Sequence, residues 1–140
     1  MLTLKEFLSQ GLVLDTAINA KMEMLTELRR KSMVTKSFLN SCGGLTRHSR
    51  VEETVERLMK LEESIDEEID RYVGIKEEIA ALISRLPDIT QRTLLEQHYI
   101  GGKKWAEIAE ANYISLRNAM YLHKKALAIL EQTYTERRTA

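Results

Sequence analysis

The stretch that decides the fold is "WAEIAEANYISLRNAMYLHKKAL", residues 105–127. Apolar residues recur at helical spacing on both sides of "NYI", so the stretch predicts a short helix, a tight turn and a longer helix. Ser115 stands where its side chain can accept a hydrogen bond from the first free amides of the longer helix. Two helices joined in this way suit a helix-turn-helix, whose second helix enters a DNA groove, but they also suit ordinary helix packing.

The longer helix separates an apolar face from a basic one. At about 100° per residue, one face carries the small or aliphatic residues Ala119, Leu122, Ala126 and Leu130, which we expect to pack on the preceding helices. The opposite face carries Arg117, Tyr121 and Lys124, with Asn118 and Lys125 on its flank. No acidic residue occurs between Glu110 and Glu131. This face is therefore the candidate DNA-binding surface.

These residue types match the chemistry of a duplex. Arginine reads guanine and asparagine reads adenine in the major groove, whereas lysine suits phosphates. Lys103 and Lys104 precede the shorter helix, whose free amides and dipole also favour a phosphate. Trp105 is interpreted as a packing residue rather than a base-stacking one. For Met120 the pattern leaves two interpretations open, a core residue or a contact to a thymine methyl group.

The N-terminal half predicts long helices. A seam of residues spaced alternately four and three apart runs through positions 51, 55, 58, 62, 65, 69, 72, 76, 79, 83 and 86, and nine of these eleven are apolar or aromatic. This period is typical of a coiled coil. Its partner is either the helix that begins near Thr3, folded back as an antiparallel hairpin, or a second chain. Between them, residues 35–50 are polar, contain Gly43 and Gly44, and predict a flexible loop.

Breaks and caps complete the predicted fold. Pro87 ends the seam helix, Asp88 and Gln91 form a candidate capping pair, and Gly101 with Gly102 ends the next helix. We therefore predict three short helices at 88–99, 105–111 and 115–132. The predicted fold class is all-α, with a long antiparallel helical hairpin (coiled coil) in residues 1–86, followed by a three-helix helix-turn-helix domain in residues 87–140.

The charge is segregated although its total is zero, with 21 basic and 21 acidic residues. Residues 1–50 carry a balance of +4, residues 51–85 carry −6, and residues 101–140 carry +3. The neutral total disfavours a protein that coats nucleic acid without specificity. The basic C-terminal segment remains compatible with a local DNA contact.

Other classes of protein find no support in the sequence. The lone Cys42 cannot form a disulfide within the chain, and there is no His/Cys cluster to hold a metal. No nucleophile stands beside a base and no phosphate-binding loop occurs, so we expect neither an enzyme nor a cofactor. No apolar run reaches the roughly 18–20 residues of a membrane span and no signal peptide opens the chain, which predicts a cytoplasmic protein.

The stretch "LLEQHYIGGKKWAEIAEANYISLRNAMYLHKKALAIL", residues 94–130, resembles region 4 of sigma-70-type factors. The shared frame is a leucine-rich helix, Tyr-Ile, Gly-Lys, Trp-x-x-Ile-Ala, a turn, Ser, the recognition helix and Lys-Lys-Ala-Leu. With its helical N-terminal half, the chain resembles small sigma-factor-like proteins of phages and integrative elements of Gram-positive bacteria, a group that includes ArpU- and RinA-type late-gene activators. The resemblance implies that Ser115 caps the recognition helix. It also implies that Leu116, Arg117, Asn118, Met120 and Tyr121 face bases or backbone.

One position departs from the sigma pattern. Sigma-type turns have a leucine and then a glycine where this chain has Asn112 and Tyr113. A tyrosine at positive φ costs on the order of 1 kcal/mol or more. We therefore expect either that Asn112 takes the unusual conformation or that the turn differs from the sigma type.

Taken together, the residues and the resemblance predict a sequence-specific DNA-binding regulator of transcription. Its expected partners are double-stranded DNA, host RNA polymerase and a second copy bound through the coiled-coil hairpin, in the cytoplasm of a bacterial host. Two alternatives stay open. One is a phage DNA-packaging protein similar to a small terminase subunit, which a ring-shaped oligomer would favour. The other is a protein-interaction module whose helix-turn-helix binds no DNA.

Overall fold

The computed structural model describes residues 2–41 and 45–139, with side chains described for residues 2–38 and 50–136. The helices are α1 (Leu4–Ser41), α2 (Leu45–Ile83), α3 (Ile89–Leu95), α4 (Trp105–Ala111) and α5 (Leu116–Thr139), and a π-helical turn (Glu96–Ile100) follows α3. The described ranges contain no β-strand, so the all-α prediction is confirmed. None of the described helices carries a stretch apolar enough to cross a bilayer.

The flexible loop predicted for residues 35–50 is wrong over most of its length. The helix α1 continues through Ser41 and α2 begins at Leu45, whereas residues 42–44 lie outside the described residues. The hydroxyl of Thr35 donates to the carbonyl of Lys31 at 2.8 Å, a bond that a threonine makes inside a helix. The polar composition of residues 35–41 and 45–50 is therefore compatible with helix.

Two predicted capping pairs have different outcomes. The hydroxyl of Thr3 accepts from the amide of Glu6 at 3.2 Å, and the carboxylate of Asp88 accepts from the amide of Thr90 at 2.9 Å. Gln91 does not complete the second pair, because its side chain is buried and its Oε1 has no hydrogen-bond partner. The C-terminal helix also runs to Thr139, beyond the predicted end at residue 132.

The seam predicted in α2 is confirmed by burial. None of its eleven positions is exposed, and four of them are buried, namely Ile65, Ile79 and Ile83 in α2 and Leu86 just beyond it. The polar exception Lys76 forms an ion pair with Asp15 of α1. A charged residue is therefore accommodated in the seam because α1 supplies its counter-charge.

The chain forms two compact units, and each unit contains part of α1 and part of α2. The first unit comprises residues 2–15 and 73–139, and the second comprises residues 16–72. In the first unit, the ring of Phe7 stacks on that of Tyr134 at 5.6 Å, and the Tyr134 hydroxyl donates to the Leu2 carbonyl. The C-terminal helices thus belong to one unit with the start of α1 and the end of α2. The expected division into residues 1–86 and 87–140 stays a prediction, and the two compact units follow a different division.

The second unit contains buried apolar side chains on α1 and α2 and ion pairs between these helices. Leu25 and Ile65 are buried. Lys21 pairs with Glu68 at 2.7 Å and Arg29 pairs with Asp66 at 3.7 Å, so residues farther along α1 meet residues earlier in α2. Exposed ion pairs contribute little free energy, so the buried side chains contribute most of the stability here.

Gly11 lets α1 approach the π-helical turn within the first unit. A Cβ atom at this position would lie 2.2 Å from the carbonyl oxygen of Tyr99 and 3.5 Å from Cδ1 of Ile79. The sequence shows Gly11 only as a weak point in a helix, but the structure shows it as a close contact between two backbones. Any larger residue would push α1 away from the turn.

Gly11→Ala is therefore expected to lower the free energy of unfolding by about 1–3 kcal/mol through overpacking. Gly74 is the matched control, because it lies in α2 of the same unit and a Cβ there would have no neighbour within 4 Å. Gly74→Ala should raise stability by about 0.5–1 kcal/mol, as the change does in an open helix interior. Chemical denaturation of both variants measures the difference. Equal stabilisation by the two alanines would show that α1 does not contact the turn at Gly11.

Candidate nucleic-acid interface

The buried face of α5 fixes the position of this helix. Ala119, Ala126 and Leu130 are fully buried, and α5 packs on both α3 and α4. Alanine at such a crossing lets helix axes approach closely. The predicted packing partners are also buried, namely Leu94, Leu95, Ile108 and Ala109. The predicted core face is thus confirmed, except that Leu122 is only half-buried.

The predicted site residues all lie on the surface. Lys103, Lys104, Ser115, Leu116, Arg117, Asn118, Met120, Tyr121, Lys124 and Lys125 are each exposed. Met120 is 42 % exposed, so the interpretation of this residue as core is wrong. The ammonium of Lys125 lies 5.1 Å from the centre of the Tyr121 ring, a cation–π distance. The surface opposite the core of α5 therefore carries hydrogen-bond donors and cations without an acid among them.

Ser115 begins α5 as predicted. Its hydroxyl accepts a hydrogen bond from the amide of Asn118 at 3.0 Å, and its carbonyl accepts from the amide of Ala119 at 2.9 Å. This is the geometry of a helix N-cap. The cap holds the first turn of α5, which carries Leu116, Arg117 and Asn118, in helical conformation.

The turn between α4 and α5 is a Schellman motif. The amide of Tyr113 donates to the Glu110 carbonyl at 3.3 Å, and the amide of Ile114 donates to the Ala109 carbonyl at 3.0 Å. Tyr113 has φ 57°, in the left-handed region that this motif requires and that glycine usually occupies. Because Asn112 has φ −100°, the expectation that Asn112 takes the unusual conformation is wrong. Tyr113 itself takes the left-handed conformation. The other alternative, a turn that differs from the sigma type, stays a prediction.

A side-chain network explains why Asn112 keeps an ordinary backbone. Its Nδ2 donates to the Ile108 carbonyl at 2.7 Å and to Oε1 of Gln97 at 2.8 Å. The first bond closes the end of α4 and the second ties it to the π-helical turn. Sequence reasoning missed this pair, although an asparagine directly after a helical segment is a known C-terminal signal.

An aromatic cluster joins the start of α4 to the middle of α5. The ring of Trp105 lies 4.6 Å from that of His98 and 4.5 Å from that of His123, measured between centres. The Nδ1–H of His98 donates to the Lys103 carbonyl at 2.8 Å. Trp105 is half-buried in these contacts, which supports its interpretation as a packing residue. The cluster therefore positions the start of α4 beside His123 of α5. Lys103 and Lys104 directly precede Trp105 in this region.

His123 is held neutral beneath the exposed face. Burial, together with the neighbouring His98 and Lys5, lowers its pKa to about 4. Burial also raises the pKa of Tyr99 to about 12, so its hydroxyl keeps its proton. The Tyr99 hydroxyl lies 2.7 Å from Nε2 of His123 and donates to it in the tautomer that carries the histidine proton on Nδ1. At neutral pH this pair therefore adds no charge to the basic surface of α5.

Comparisons with protein-family models, curated proteins and solved structures yield no match to this chain. Among the described residues, no group of three or more His, Cys, Asp or Glu side chains could hold a metal ion. The exposed groups are a guanidinium, an amide, hydroxyls and ammoniums, whose chemistry suits an anionic partner.

Tyr113→Gly is expected to raise the free energy of unfolding by about 0.5–1 kcal/mol, because glycine adopts positive φ without a steric cost. The tyrosine side chain is 97 % exposed, so its removal loses little packing. Tyr113→Ala is the matched control, since alanine keeps the Cβ that causes the strain and should give no such gain. Thermal and chemical denaturation distinguish the two. Equal stability of the glycine and alanine variants would show that the backbone at residue 113 is not strained.

Proposed function

We propose that the protein is a sequence-specific DNA-binding regulator of transcription, similar to sigma region 4, encoded by a phage and acting with host RNA polymerase in the bacterial cytoplasm. In this proposal residues 87–140 form a helix-turn-helix domain and α5 is the recognition helix. One observation carries the proposal. The surface of α5 opposite its buried face is exposed, free of acids from residue 111 to residue 130, and bears Arg117, Asn118 and Lys124.

The exposed residues divide by the part of the duplex that they suit. Arg117 lies in the first turn of α5 and Asn118 follows it, so both stand at the end of the helix that enters a groove. Their guanidinium and amide groups can each form paired hydrogen bonds with a base edge. Lys124 and Lys125, two turns later, and Lys103 and Lys104, before α4, suit phosphates of the backbone.

The number of cations predicts weak binding by a single copy. Residues 101–140 carry a balance of only +3, and each phosphate contact contributes separately to affinity and salt dependence. A single domain therefore needs help from another molecule. RNA polymerase bound alongside, or a second copy on a second half-site, would supply it through effective concentration.

The second unit is the candidate surface for binding a second copy of the chain. In the proposal, α1 and α2 form an antiparallel helical hairpin whose seam is closed within the chain. The outward surfaces of both helices still expose large apolar residues, among them Met22, Met24, Met59 and Leu61. A groove of about 560 Å³ lined in part by Met24, Leu28 and Leu61 crosses this surface. Burial of these side chains against a second hairpin would form a four-helix bundle and a dimer.

The proposal is tested by selecting duplexes from a random library with the purified protein at low salt and then measuring variants on the enriched sequence. Arg117→Ala should weaken binding to that sequence by roughly 1–3 kcal/mol and relax base preference at one position. Lys124→Ala should weaken enriched and random duplexes about equally, because a phosphate contact carries no sequence information.

Arg57→Ala and Lys60→Ala are the matched controls, because both residues are exposed on α2 and outside the proposed interface. They should leave DNA affinity unchanged. Equal losses on enriched and random duplexes for Arg117→Ala would show that another face reads the bases. No enrichment of any sequence, alone or with polymerase present, would refute the DNA-binding function.

A further inference from the structure

The exposed apolar residues of the C-terminal helices are concentrated around the first turns of α5. Between residue 87 and residue 136, six large hydrophobic side chains are exposed, namely Ile89, Tyr113, Leu116, Met120, Tyr121 and Ile129. Four of the six lie within the nine residues 113–121. Single exposed hydrophobic residues need no explanation, but a cluster of them indicates a contact surface.

Leu116 and Met120 form a pair within this cluster. They are four residues apart on α5, so they lie about 40° apart around the helix and about 6 Å apart along it. Leu116 is 50 % exposed and Met120 is 42 % exposed. Viewed along the helix axis, this pair lies on one side of Arg117 and Lys124, and Asn118 lies on the other side. An apolar strip therefore runs beside the basic centre of the exposed face.

We propose that Leu116 and Met120 contact the C5-methyl groups of thymines in the major groove of the target duplex. This inference rests on the proposed DNA-binding function and names the chemistry of the site that α5 reads. The charge of the neighbouring side chains indicates which kind of partner contacts this strip. Along the chain the nearest acids are Glu110 and Glu131, and the strip lies beside Arg117 and Lys124, so a polyanion is a better partner than an apolar protein surface.

The thymine methyl is the apolar group that a major groove offers. It projects from the edge of the base, where the other accessible atoms are hydrogen-bond donors and acceptors. Base pairs rise about 3.4 Å per step, so two side chains about 6 Å apart reach methyl groups within about two steps of each other. The target site should therefore contain two thymines separated by no more than about two base steps, next to the position that Arg117 reads.

Deoxyuridine supplies the test, because it differs from thymidine only in lacking the methyl group. Each thymine of the enriched duplex is replaced in turn, and the dissociation constant is measured for the wild-type protein, Leu116→Ala and Met120→Ala. The wild type should lose about fourfold in affinity at each contacted thymine, the effect of one buried methyl. Each alanine variant should bind the thymine duplex more weakly and become insensitive to uracil at one of the two positions.

Ile129→Ala is the matched control, because Ile129 is 39 % exposed on α5 but lies outside residues 113–121. It should keep both the affinity and the uracil sensitivity of the wild type. Far-ultraviolet circular dichroism of each variant verifies that α5 remains folded.

Three outcomes overturn the inference, and they are distinguishable. If the protein enriches a sequence but uracil has no effect at any position, the methyl contact is wrong and the DNA-binding function stands. If uracil weakens the wild type and both alanine variants to the same extent, other side chains read the methyl groups. If no sequence is enriched, and Met120→Ala instead weakens binding to RNA polymerase, the strip is a protein-docking surface and both proposals fail.

Discussion

The π-helical turn Glu96–Ile100 is the constraint on which the first unit depends. Three consecutive residues of this turn each contact a different part of the fold. Gln97 accepts a hydrogen bond from Asn112 at the end of α4, and His98 stacks on Trp105 at its start. Tyr99 bonds His123 of α5, while its carbonyl oxygen occupies the space that Gly11 leaves open on α1. The wider helical turn alters the directions of successive side chains, and here they meet α1, α4 and α5.

The candidate interface follows from that arrangement. Once α4 is held at both ends, α5 can bury Ala119, Ala126 and Leu130 only by turning the opposite side to solvent. The polar groups beneath it are neutral, because the pKa of His123 is lowered to about 4 and that of Tyr99 is raised to about 12. The charge of the surface is therefore set by the exposed arginine and lysines. A chain with no net charge can in this way present a local basic surface to a polyanion.

The sequence predicted the features that depend on local periodicity and local hydrogen bonds. The heptad seam of α2, the cap at Ser115 and the buried face of α5 are of this kind, because side-chain spacing and a single hydroxyl determine them. The loop at residues 35–50 was predicted wrongly because polar composition does not separate a loop from an exposed helix. Neither the π-helical turn nor the close contact at Gly11 has a local sequence signature. Asn112 seemed the natural residue for positive φ, but its amide is engaged by Gln97, and the strain falls on Tyr113. All ten predicted site residues are exposed, and their contact with DNA stays a prediction.

The most direct test of the account is an NMR titration of isotope-labelled protein with a mixed-sequence duplex at low salt. The account predicts that changes in amide chemical shift concentrate at Lys103, Lys104 and residues 115–125, with smaller changes in the aromatic cluster of Trp105 and His123. It also predicts that residues 51–72 of α2, whose charged residues are mostly acidic, change little. Shift changes confined to residues 16–72, or an absence of changes in α5 at saturating duplex, would contradict the claim that α5 is presented to DNA.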